Sequence, residues 1–100
     1  MTNPYTQLLA DLMASYPLSV ATLPGDLNAE YTRDENTATL TLSHATGLPS
    51  GLEVMAILDA LRDLGIDTLQ VRRQQIGQAG RRVVQLTWPR TAGGTPKTGD

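Results

Sequence analysis

The chain has 100 residues, 40% of them apolar, with one Trp, three Tyr, no Phe and no Cys. That length fits one domain with a modest aliphatic core, and the lack of cysteine excludes disulfides, thiolate nucleophiles and sulfur-ligated metals. The formal charge of −2 conceals a segregation: residues 1–67 hold nine acids and two basic residues, whereas residues 68–99 hold six basic residues and no acid.

The first predicted element is a helix. Asn3 serves as its cap, Pro4 suits its first position, and Tyr5, Leu8, Leu9, Leu12, Met13 and Tyr16 share one face until Pro17 ends it. Residues 18–23 are either a short strand closed by Pro24-Gly25 or part of the connection. Next comes a hairpin. Leu27, Ala29 and Tyr31 alternate with polar residues, as do Ala38, Leu40 and Leu42, and Asp34-Glu35-Asn36 supplies the turn.

Gly47-Leu48-Pro49 leads into the second helix, where Ser50 and Glu53 form a capping box. Val54, Ile57, Leu58, Leu61 and Leu64 make its buried stripe, and Gly65 ends it. A second hairpin runs up through Leu69 and Val71, turns at residues 77–80, and returns through Val84, Leu86 and Trp88 to Pro89. Residues 91–100, rich in Gly, Thr and Pro, are expected to form a disordered tail beyond a single domain at residues 1–90.

These elements predict an α+β fold in the order α-(β)-β-β-α-β-β, with both helices on one face of an antiparallel sheet of four or five strands. The helix-and-hairpin unit at residues 4–43 recurs in outline at residues 50–88. With four strands the order is that of a ferredoxin-like plait whose first strand has moved to the end. Residues 37–43 and 82–88 would then be central, with the more charged 27–33 and 68–76 at the edges. With residues 18–23 as a fifth strand, the αβββαββ order resembles that of the small acidic dimeric chaperones of secretion systems. Their further C-terminal helix has no counterpart here.

Candidate chemistry is sparse. His44, the one histidine, follows Ser43 at a strand end, and it reads as a loop residue more readily than as part of a Ser-His-acid set. Asp59 and Asp63 share a helix face with Arg62 and read as a solvated surface, so no metal and no cofactor are expected. Residues 47–51 open a helix without the Lys-Ser/Thr of a phosphate loop. Gly77-Gln78-Ala79-Gly80 matches the GxxG that clamps nucleic-acid backbone between two helices in KH domains, but here it joins two strands.

The arginine-rich second hairpin is the strongest signal. Arg72, Arg73, Gln74, Arg81, Arg82, Gln85 and Arg90 offer donors for carboxylate or phosphate. Exposed aromatics for base stacking are missing, since Tyr31 and Trp88 fall on the inward register. A non-enzymatic binding or adaptor protein is therefore expected. Its partner would be a second copy of the chain, giving a homodimer, or another protein with an acidic surface, with nucleic acid as the alternative. The first basic residue is Arg33 and no apolar run approaches the ~20 residues that cross a bilayer, so a cytoplasmic protein without membrane contact is expected.

Overall fold

A computed structural model of the chain describes residues 3–45 and 47–90. The elements follow in the order α1 (Thr6–Ala14), β1 (Val20–Leu23), β2 (Leu27–Arg33), β3 (Thr37–Ser43), α2 (Gly51–Asp63), β4 (Gln70–Ile76) and β5 (Arg81–Pro89). The five strands form one antiparallel sheet in the order β1-β2-β3-β5-β4, so β3 is central while β1 and β4 are edges. The segment proposed as a tail, residues 91–100, lies outside the described residues.

Of the two arrangements open from sequence, the five-stranded αβββαββ order is the one observed. Residues 27–33 are therefore not an edge, because β1 pairs along them from Val20↔Glu30 to Leu23↔Leu27. The Tyr31 N–H donates to the Ser19 carbonyl (2.9 Å), which carries the pairing one residue beyond β1. The strand is inconspicuous in sequence because only Ala21 and Leu23 turn inward from its four residues, while Val20 and Thr22 point out.

β3 shows why the sheet has two unlike faces. Ala38, Leu40 and Leu42 are buried and alternate with Thr37, Thr39 and Thr41. Register sets Tyr31 and Leu86 opposite Leu40, and Ala29 and Val84 opposite Leu42, so the apolar residues of three strands share one face. Leu9 and Leu12 of α1 and Ile57, Ala60 and Leu61 of α2 close that face into a single core. Small Ala38 leaves room above it. Trp88 on β5 and Tyr31 on β2 stack across β3 with centroids 6.1 Å apart, and Tyr16 meets Tyr31 edge-on at 6.1 Å.

The start of α2 follows its sequence signal, whereas α1 begins at Thr6, with Tyr5 rather than Asn3 at the cap position and no side-chain capping bond. Asn3 Oδ1 accepts from Tyr5 N–H (2.8 Å), so the asparagine organises the turn that precedes α1. Its Nδ2 donates to the Ala56 carbonyl of α2 (2.8 Å), and Thr6 Oγ1 donates to Asp63 (3.3 Å). These two bonds hold α2 against α1. α1 ends at Ala14, earlier than its apolar pattern suggests, and leaves Leu8 and Tyr16 partly exposed. At the end of α2, Gly65 N–H bonds to Arg62 O (3.0 Å) and Ile66 N–H to Leu61 O (2.9 Å), the paired bonds of a Schellman stop.

The gap over Ala38 gives a direct test of this packing. Ala38→Leu should force Trp88 and Tyr31 apart and cost about 1–3 kcal/mol, measured by chemical denaturation together with loss of the near-ultraviolet dichroism of the stacked rings. Unchanged stability with an unchanged aromatic signal would contradict it.

Candidate functional site

The second hairpin turns through Gly77 (φ 75°) and Gly80 (φ 68°), and Gly80 N–H donates to Gly77 O (3.1 Å). Side chains with a Cβ strain at such angles, which explains glycine at both ends of the turn. The pleat then deals its arginines to opposite faces. Arg72, which pairs with Gln85, lies with Gln74 and Arg81 on the outer, helix-free face. Arg73, which pairs with Val84, and Arg82, which pairs with Gln75, lie on the face toward the helices.

Their surroundings differ. Arg81 donates to Ser43 Oγ across the outer face. It stands two residues from Val83, which is fully buried although it belongs to that same face. Gln85 donates to Thr41 Oγ1 (3.3 Å). Arg90 lies apart from the hairpin tip, at the β2–β3 turn, where it donates to the Asp34 carbonyl while its own N–H bonds to Asn36 O (2.8 Å). Backbone donors from Thr37 and Asn36, with Arg90 nearby, hold the Asp34 carboxyl below its usual range. The ion pairs among the described residues are Arg62–Asp59 and His44–Glu53, so Arg72, Arg73, Arg81 and Arg82 face no carboxylate there.

Beside the inner arginines the core is open. A crevice of about 570 Å³ runs between α2 and β4, lined by Pro49, Gly51, Val54, Met55, Val71, Arg73 and Val84. A smaller hollow of about 190 Å³ continues it toward Leu58, Ile66 and Leu69 and shares Val71. Along this seam Met55 is 62% exposed and Val71 49%. On the other side Asn3 and Thr6 bond α2 to α1, which lies over β1 and β2.

At the sheet end next to the hairpin lies a polar cluster that sequence reasoning passed over. His44 Nε2 contacts both Glu53 oxygens (2.9 and 3.0 Å), and its Nδ1 contacts the Asp26 carbonyl (3.0 Å). Both partners are acceptors, so the ring bonds fully only as an imidazolium with a proton on each nitrogen. The bond to Glu53 raises the His44 pKa above its ordinary 6.5. His44, followed by the Ser50 N–H, lowers that of Glu53 below its ordinary 4.5. Glu53 also completes the capping box, accepting from Ser50 N–H (2.9 Å) while Ser50 Oγ accepts from Glu53 N–H (3.1 Å). The capping residues were legible in sequence. The histidine, nine positions upstream in another element, had no local signal.

This arrangement separates Ser43 from His44. The serine hydroxyl bonds to Arg81 on the outer face, while both imidazole nitrogens are engaged at the helix start. Asp59 is paired to Arg62 at 3.0 Å, and among the described residues no three His, Asp or Glu side chains converge as a metal site would require. No helix among them is long and apolar enough to cross a membrane.

The His44–Glu53 pair should leave a pH signature. A raised histidine pKa stabilises below 6.5 and fades as pH climbs through the folded value, while a lowered glutamate pKa stabilises above 4.5 and fades as pH falls through its folded value. Glu53→Gln keeps a side chain able to complete the capping box but removes the charge. Denaturant midpoints should therefore separate the variant from the parent most between the two ordinary values, and least in alkali. A difference independent of pH would contradict the pairing.

Comparison with known protein families, with characterised proteins and with solved structures returns no match to this chain.

Proposed function

We propose that this chain is a small non-enzymatic binding or adaptor protein of the cytoplasm, which docks an anionic protein partner on its β4–β5 hairpin. The observation that carries the reading is the set of four arginines, Arg72, Arg73, Arg81 and Arg82, on one hairpin with no carboxylate opposite them among the described residues. Guanidinium groups held on a paired strand lose less freedom on binding than they would on a loose chain, and they donate to carboxylates in bidentate geometry.

Self-association into a homodimer is part of the proposal, and β1 is the edge that suits it. Residues 18–25 carry no charge, and Leu18 and Val20 beside Leu8 are 85% and 72% exposed. An uncharged, apolar edge of this kind lacks the protection that isolated edges carry. A nucleic-acid ligand is the second reading, favoured by the placement of Arg72 and Arg81 on the open outer face. That face has no exposed aromatic ring among the described residues, which favours protein over single-stranded nucleic acid.

The triple change Arg72→Ala, Arg73→Ala, Arg82→Ala separates these readings and spares Arg81, which bonds to the buried Ser43. Exposed charges contribute little to folding, so its melting temperature should stay close to the parent's. Binding of labelled polyglutamate, followed by anisotropy at low salt, should drop by about tenfold or more. Equal binding by parent and variant would overturn the proposal. Labelled DNA or RNA bound more tightly than polyglutamate, with affinity falling steeply as salt rises, would replace it with the nucleic-acid reading.

A further inference from the structure

We infer that the crevice between α2 and β4 receives an extended acidic polypeptide segment, which adds to the sheet as a strand along the free edge of β4. The inference rests on the binding reading above and specifies its partner. Among the described residues β4 is bonded to β5 alone, so one side of its seven residues presents backbone donors and acceptors with no partner there. A strand laid there would send every second side chain toward the helices. Met55, Val54 and Val71 line the crevice it would enter, and their partial exposure is apolar area that such a strand would cover.

Charge selects the segment. Arg73 faces into the crevice and Arg72 projects from the opposite face of the same edge, so an incoming strand meets a cation on each side. Residues 68–99 contain no acid to answer them. Carboxylates interspersed with apolar residues fit both requirements. A second copy of this chain does not. Antiparallel pairing of the whole of β4 with its twin centres on Arg73, which would bring that residue opposite its own copy with the two Arg72 side chains close by. Like charges directly across a pair are destabilising.

The probe is a blocked peptide of about ten residues alternating valine and glutamate, long enough to span β4. A valine–lysine peptide is its control. Two further versions carry N-methyl groups on the amides of one edge or the other. Anisotropy should show the valine–glutamate peptide bound and the lysine version not bound. One N-methylated version should bind like the parent peptide, and the other should lose about tenfold or more, because only one edge pairs with β4. Met55→Asp, at a largely exposed helix position, should leave folding intact and weaken binding by a similar factor.

Equal binding of both N-methylated versions, or indifference to Met55→Asp, overturns strand addition while leaving hairpin binding in place. Failure of the valine–glutamate peptide together with retained polyglutamate binding does the same. A dimer that Met55→Asp dissociates would assign the crevice to a second copy and overturn the proposal. The hairpin reading itself falls only if the arginine triple variant binds polyglutamate like the parent.

Discussion

The alternation of β3 is the constraint on which the rest of the molecule depends. It is the central strand, with Ala38, Leu40 and Leu42 turned inward and Thr37, Thr39 and Thr41 outward. A slip of one residue against either neighbour would carry the threonines into the core. Each hydroxyl buried without a partner costs about 1–3 kcal/mol, so such a slip would consume a large share of the stability of a small domain. The register is thereby fixed, and with it the choice of face. Helices can cover only the leucine side, and the threonine side stays polar.

Covering that side is the second problem, and the chain solves it incompletely. α1 and α2 are tied together through Asn3 to the Ala56 carbonyl and Thr6 to Asp63. The N-terminus of α2 is pinned by Glu53, which engages Ser50 in the cap and His44 at the end of β3, while His44 reaches the Asp26 carbonyl in the β1–β2 turn. α2 is thus anchored at its start to the turn and the central strand and along its length to α1. Val71 on β4 and Met55 above it remain partly exposed, whereas the inward apolar residues of β2, β3 and β5 are buried. The open seam and two of the unpaired arginines, Arg72 and Arg73, occupy the same edge.

Much of this was visible in sequence wherever a local rule governs the outcome. Period-two alternation located β2, β3 and β5, Ser50 and Glu53 marked the start of α2, and Gly65 marked its stop. The inward placement of Tyr31 and Trp88 followed from the same alternation. Two things were not legible, each for lack of a local signature. β1 is too short and too evenly apolar to show a face. The His44–Glu53 contact joins elements whose meeting only the tertiary fold decides. The outward placement of Arg72 with Gln70 and Gln74 followed from alternation, and the register sends Arg81 the same way and Arg73 and Arg82 the other, while Arg90 falls at the β2–β3 turn.

Among the described residues β4 presents a bare edge and an open inner side. Native-state hydrogen exchange, read residue by residue, tests this most directly. The amides of β4 that point away from β5 should exchange orders of magnitude faster than those of β3, which is paired on both sides. Protection of the whole of β4 equal to that of β3, in the absence of any added partner, would contradict it.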